Sequence, residues 1–341
     1  MNKELLEKLC NANGISGDEN SVREIIISEI KNSGAEYHTD NMGNLIVFKK
    51  GKKIPQKKLL ISAHMDEVGF IVTHITPSGY LKFDEVGGID RRVVMGKSVT
   101  VGKNVNGVVC AAPMHLLSGE QRESIPKLDN MYIDIGAGSK EEAEKYVSLG
   151  DSVQFDCDFL WQDDVITGKA LDDRAGCAIM VEMINSKLEY DTYFSFVVQE
   201  EVGLRGAKCA AFTVDPDFAI VVETTTAADI PNVADDKKVC FVGGGAVISF
   251  MDRRTIYDKK LVDEAMKCAD GTNVKVQLKQ AVAGGNDAGA IQTSKGGVRT
   301  LAVSLPCRYL HSSCGLISAE DLNSAYYIIN KMSEKILSNS L

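Results

Sequence analysis

The sequence has no basic block and no stripe of interleaved basic and aromatic residues. Its 47 acidic residues outnumber 38 lysines and arginines, for a net charge of -9. Nucleic acid is therefore not an expected partner. No apolar run reaches membrane-spanning length. The opening Met1-Asn2-Lys3-Glu4-Leu5-Leu6-Glu7 lacks a signal-peptide core, so the expected compartment is the cytoplasm. Nine cysteines are scattered without a Cys-x-x-Cys pair, and most, such as Cys177, Cys209 and Cys268, lie in apolar runs. They read as buried, reduced thiols. A single tryptophan, Trp161, offers no aromatic platform for a sugar. There is no internal repeat and no low-complexity segment.

What is present is a chain of 341 residues, 44% hydrophobic and 25% charged, the balance of a globular protein with one large domain or two medium ones. Residues 3–12 and 20–31 carry helical spacing, separated by Gly14 to Gly17. Asn44 to Phe48 reads as a strand. Leu59 to Ala63 reads as a continuous apolar strand covered on both faces, ending at His64-Met65-Asp66-Glu67. From about 68 to 163 the texture changes to short β-rich runs, beginning with a hairpin of Phe70 to Ile75 and Tyr80 to Phe83 around Pro77-Ser78-Gly79. Within it only Ser139 to Ser148 reads as helical, opened by the capping box of Ser139 and Glu142. After Gly168, strands and helices alternate: helix 173–186, strand Thr192 to Val198, helix 205–212, strand Phe218 to Val222, strand Ala246 to Phe250, helix 258–269, strand Val274 to Leu278, strand Val298 to Val303 and helix 319–337. The expected fold is α/β: a mixed, largely parallel sheet with helices on both faces, plus an inserted small β-rich domain. The host covers 1–67 and 164–341, and the insertion 68–163.

The stretch Gly168-Lys169-Ala170-Leu171-Asp172-Asp173-Arg174-Ala175-Gly176 sets two carboxylates at a strand-to-helix junction framed by glycines. A bare acid pair means little, since 47 acids in 341 residues give roughly six such neighbours by chance. Helix capping would explain it equally well. The wider pattern is more specific. His64 with Asp66, Asp172, Glu200 with Glu201, Glu223 and His311 all fall at or just past the ends of expected strands. In an open α/β sheet such ends share one crevice. Carboxylates and imidazoles in that number suit a pair of divalent metals such as zinc, cobalt or manganese. Asp66, two residues beyond His64, lies within reach of its second ring nitrogen. A surplus acid is free to act as general base. His38, His74 and His115 carry no such context.

The segments Ser62 to Phe70, Gly168 to Gly176, Gln199 to Ala207 and Arg308 to Ser312 resemble the M42 family of metallo-aminopeptidases, the glutamyl-aminopeptidase and tetrahedral-aminopeptidase group. So do Asp40 to Leu45, Val86 to Asp90 and Gly284 to Asp287, which extends the resemblance over nearly the whole chain in order. The resemblance implies an exopeptidase with two zinc or cobalt ions, with manganese as a further candidate. His64 and Glu223 would bind one metal, Glu201 and His311 the other, and Asp172 would bridge them. Glu200 would be the general base, and Asp66 would orient His64. Hydrolysis would use a water shared by the metals. The inserted block would be a dimerisation domain, and the assembly a homo-oligomer such as a tetrahedral dodecamer built from dimers. Two positions depart from the family pattern. Glu223 stands where many members carry Asp, and Ser313-Cys314-Gly315 follows His311 where many have Pro after the Ser.

The expected activity is removal of N-terminal residues from short peptides. The alternatives are a deacylase on the same scaffold and an endoglucanase. A glycosidase needs two carboxylates flanking the bond and no metal pair, so chelator sensitivity separates the last.

Overall fold

The apolar run Leu59–His64 is buried at every residue, as a strand covered on both faces must be. It lies at the centre of an eight-stranded sheet. The computed structural model describes all 341 residues. It orders the sheet Glu36–Thr39, Leu45–Lys49, Thr192–Val197, Leu59–His64, Phe218–Thr226, Arg299–Cys307, Ala246–Ile248 and Val276–Leu278. The four central strands are parallel, and antiparallel pairing enters towards the edges. Helices Lys3–Asn11, Asn20–Ile30, Leu171–Asn185 and Ala319–Leu337 form one packed group. Helices Arg205–Val214 and Ala288–Ile291 form another. The core between these layers is one cluster of 61 buried residues. No helix is long and apolar enough to cross a membrane.

A second core of 17 buried residues fills a closed antiparallel barrel whose strands run from Gly69–Ile75 to Ser152–Phe155. Phe70 stands at its centre, with the rings of Phe83 and Phe155 edge-on at 4.9 and 5.3 Å. The hairpin Gly69–Ile75/Leu81–Val86 turns at Gly79, where φ is +86° and a Cβ would sit 2.5 Å from the Ala137 carbonyl oxygen. Only glycine fits there. Below the barrel, Leu160–Gln162, Val165–Gly168 and Gly315–Ser318 form a small antiparallel sheet.

Several elements depart from the sequence expectation. Strand Phe218–Thr226 continues past Val222, because Thr224, Thr225 and Thr226 are β-branched and pair with Leu305, Pro306 and Cys307. Glu223 therefore sits inside a strand and not past its exit. Likewise the strand before His311 runs to Cys307. Helix Lys140–Ala143 is one turn, and the block holds a further helix, Gly119–Glu123. Ser118 and Gln121 close a reciprocal capping box on that helix. Edge strand Glu36–Thr39 is exposed throughout, and with no buried face it shows no hydrophobic alternation. Strand Val165–Gly168 belongs to the small sheet, so Asp172 reaches the crevice from a different sheet than His64 does.

Candidate active site

His64 ends its strand nearly fully buried, at 1% exposure. Its Nδ1 lies 3.0 Å from the backbone carbonyl of Asp66 and 3.5 Å from the Asp66 carboxylate. Contact on that side directs Nε2 towards the opposite side, where Asp172 Oδ1 is 3.3 Å away and Glu223 Oε2 3.8 Å. The other oxygen of Asp172 lies 3.4 Å from His311 Nε2, and Glu201 Oε2 lies 3.3 Å from the same nitrogen. Asp172 thus stands between two imidazoles, with Glu223 on one side and Glu201 on the other. The cavity holding His64, Asp172, Glu200, Glu201, Glu223 and His311 measures about 350 Å³.

Local structure aims each group. The backbone leaves helical geometry at Asp172 (φ -84°, ψ 108°) and Asp173 (φ -118°, ψ 40°), and the peptide between them is cis. Ala170 before them is left-handed, as are Gln199, Tyr309 and His311. Asp66, fully buried, accepts hydrogen bonds from the Ser16 hydroxyl at 2.6 Å and from the backbone N–H groups of Glu200 and Glu201 at 2.9 and 3.1 Å. One carboxylate therefore sets the positions of His64, Glu200 and Glu201 together. Glu19 accepts from the N–H of Gln199 at 3.2 Å, and Asn44 accepts from that of Val198 at 3.0 Å. These contacts hold the strand exit that presents Glu200.

Charge is concentrated well beyond what fold stability requires. Burial opposes a charged His64, but the carboxylates of Asp172 and Asp66 beside it outweigh that and hold the imidazole well above its usual range. Burial likewise opposes the His311 cation, and Asp172 and Glu201 lift it to about 9. Burial pushes the Glu201 carboxyl up to about 7, with Asp172 adding repulsion. Glu223 and Glu200 are pushed well above the usual glutamate range, first by burial and then by acidic neighbours. Burial also opposes ionisation of Asp172, yet the two imidazoles hold its carboxyl below the usual range. Asp172 Oδ1, Asp173 Oδ2, Glu223 Oε1 and both oxygens of Asp287 are buried without a hydrogen-bond partner. Acids crowded together with unpaired oxygens need positive charge. His64, Asp172 and Glu201, and likewise His64, Asp173 and Glu223, bring their donor atoms close enough to share one ion. The donor set fits divalent metals that accept nitrogen and oxygen.

The structure thus brings together all seven residues singled out from the sequence. It adds others that lie within the same motifs. Asp173 is fully buried and accepts from the Gly176 N–H at 3.1 Å. Asp287 is fully buried beside the cluster, where burial pushes its carboxyl up to about 7. The signal was the Gly284-Gly285-Asn286-Asp287 turn, which lacked a strand exit to mark it. Glu67, Lys169 and Arg174 form a buried ion cluster. Lys169 Nζ donates to both Glu67 oxygens at 2.7 and 2.9 Å, and Arg174 donates to Glu67 at 3.1 Å and to the Met65 carbonyl at 2.8 Å. It binds the turn after His64 to the turn around Asp172. Pairing of this kind depends on tertiary contact and leaves no local pattern.

Residues 43–328 match M42 glutamyl aminopeptidase. A putative aminopeptidase of Acetivibrio thermocellus is 43% identical over 333 residues, covering 96% of each chain. The TET aminopeptidase from the marine sediment archaeon Thaumarchaeota archaeon SCGC AB-539-E09 superposes with a TM-score of 0.92 at 35% identity, over 96% of this chain and 94% of that one. The TET1 peptidase of Pyrococcus horikoshii, which can assemble into a tetrahedron or a large octahedral shell, superposes with a TM-score of 0.84 at 36% identity, over 98% of each.

Proposed function

The chain belongs to the M42 glutamyl aminopeptidase family and is a hydrolase of peptide bonds, and from that premise we propose that it cleaves N-terminal residues from short peptides at a two-metal centre. His64 and Glu223 would hold one ion, Glu201 and His311 the other, and Asp172 would serve both. Zinc, cobalt and manganese all suit these donors. The observation that carries the reading is the placement of the two Asp172 oxygens, 3.3 Å from one imidazole and 3.4 Å from the other. When bound, the ions supply Lewis acidity, polarising the scissile carbonyl and acidifying water.

The protein's own groups do the rest. Asp66 holds His64 in place and fixes the backbone that presents Glu200 and Glu201. Glu200 is the acid left over once Glu201 takes a ligand position. Burial beside Asp287, Glu201 and Asp66 makes it a stronger base than an exposed glutamate. It takes the proton of the attacking water and returns it to the leaving amine. Glu201 and Glu223 also place negative charge where the substrate's free amino group must sit, which restricts cleavage to the chain end. Arg254 and Lys279 line the same cavity and favour an acidic first residue.

The test is metal content. Asp172→Ala should lose both ions on dialysis, and His311→Ala mainly one. Near-complete retention by Asp172→Ala would remove the bridging role.

The block 68–163 supplies the contacts between subunits. Ile71 and Val108 are exposed on barrel strands, Tyr80 is exposed in the hairpin turn, and the TET1 relative named above can assemble into a tetrahedron or a large octahedral shell. Val108→Asp should convert a large homo-oligomer into smaller species on light scattering. An unchanged mass would place the contacts elsewhere.

A further inference from the structure

The reaction cavity adjoins a second one of about 470 Å³, and the two share Leu310 and His311 in their walls. The second cavity lies where the barrel meets the host. The barrel supplies the loop after strand Leu81–Val86, through Asp90, Arg92 and Lys97. The host supplies Ile230 and the stretch Arg308 to Cys314. Two glycines bring the barrel loop against the site. Gly87 has a φ of +83°, and a Cβ on it would sit 2.7 Å from Val68 Cγ1 and 3.3 Å from Glu201 Cβ. A Cβ on Gly88 would lie 3.9 Å from His311 Nδ1. Bare backbone thus passes beside Glu201 and His311, as only glycine permits so closely at Gly87.

Charge divides the two cavities. On one side of His311 stand Asp172, Glu200, Glu201 and Glu223. On the other the cations are Arg92, Lys97 and Arg308. Asp90 neutralises Arg92 at 2.7 Å, and Asp229 neutralises Arg308 through two bonds of 2.6 and 2.7 Å. Lys97 is exposed and has no ion-pair partner. Its carbonyl accepts from the Val109 N–H at 2.9 Å, which ties its backbone to the barrel. A short peptide is charged in the same order, ammonium first and carboxylate last. With its ammonium among the acids, its far end passes His311 into the cationic cavity. Val93, Ile230 and Tyr309 give that cavity an apolar wall for side chains.

We propose that the second cavity binds the part of the peptide beyond the scissile bond, and that Lys97 pairs with the free C-terminal carboxylate of a short peptide. Each residue advances the chain by about 3.3–3.6 Å, so a tripeptide carries its carboxylate roughly 7 Å past the bond that breaks. The cavity volume falls within the ~300–1,000 Å³ of small-ligand sites. The inference rests on the aminopeptidase reading and adds to it a preference at the far end of the substrate.

The experiment uses the zinc-loaded full chain, a tripeptide ending in Gly-Gly, and the C-terminal amide of that tripeptide. Both carry the first residue that is cleaved fastest as its p-nitroanilide. Wild type should prefer the acid over the amide by about fivefold in kcat/KM, the scale of one exposed ion pair, and mainly through KM. Lys97→Met should bring the ratio to one, and Lys97→Arg should keep it. The preference should shrink as salt rises, since screening acts on a charge pair and not on packing. Zinc-loaded Glu200→Gln, slowed by loss of its base, gives the same comparison as Kd values by NMR titration. A ratio of one in wild type, or a ratio that Lys97→Met leaves unchanged, overturns the proposal. Turnover of the p-nitroanilide, which has no carboxylate to hold, reports separately on the aminopeptidase reading.

Discussion

Between Gly69 and Phe155 no residue other than glycine has a positive φ, and Gln154 Oε1 is the one buried side-chain atom without a partner. Around the acid and imidazole cluster the reverse holds. Ala170, Gln199, Leu204, Tyr309 and His311 are left-handed, and Asp172, Asp173, Glu223 and Asp287 leave buried oxygens unpaired. Both regions have well-packed apolar cores, of 17 and 61 buried residues, so packing does not distinguish them. The barrel is built from conformations that stabilise it locally. The host sheet carries conformations that cost about 1–3 kcal/mol each and is large enough to hold them. Unpaired polarity and left-handed backbone gather where reactivity is needed.

The comparison is sharpened most by Glu200→Gln. Removal of the base should lower kcat by about 10²- to 10⁴-fold, with metal content and melting temperature unchanged. Turnover on an aminoacyl-p-nitroanilide above a tenth of wild type would show that Glu200 is not the base. The mirror-image change is Phe70→Ala in the barrel. It should cost about 3–5 kcal/mol of stability by emptying the centre of the aromatic cluster, measured by denaturant titration. Activity per folded molecule should survive. A loss of catalysis in the folded fraction would show that barrel packing reaches the site.

The sequence made the host sheet legible because its central strands are apolar on both faces and end on chemically distinctive residues. Leu59 to His64 is the clearest instance: six buried residues, the last an imidazole. Glu223 was legible as a site residue but not in its placement, since the strand continues through three threonines that read equally as loop. Asp287 and the trio Glu67, Lys169 and Arg174 were less legible. Their partners are distant in sequence, and nothing in a local window distinguishes a buried ion from a solvated one.

Two smaller effects follow from charge. In the metal-free protein His311 titrates at about 9 and Glu201 at about 7. Near neutral pH the first holds its proton, and burial leaves the second readily protonated. Metal binding must displace those protons, so affinity should fall as pH drops. The expected slope is about tenfold per pH unit for each proton released. Calorimetric titration in buffers of differing ionisation enthalpy counts them; a heat independent of buffer would contradict the protonation states. Smallest is Arg254→Met, which should lower kcat/KM for N-terminal Glu by about fivefold, roughly 1 kcal/mol, and leave N-terminal Leu unchanged. Equal losses on both substrates would assign Arg254 to structure.

Lys169 and Glu67 meet at 2.7 Å where the chain departs for the barrel and where it returns. The two crossings are thereby clasped side by side, 102 residues apart in sequence. An insertion anchored in this way is a cassette. Its loops can lengthen, shorten or change their outer faces across generations without altering the spacing between His64 and Asp172. The clasp lets the barrel's outer surface vary while the spacing of the groups around His64 and Asp172 is inherited unchanged.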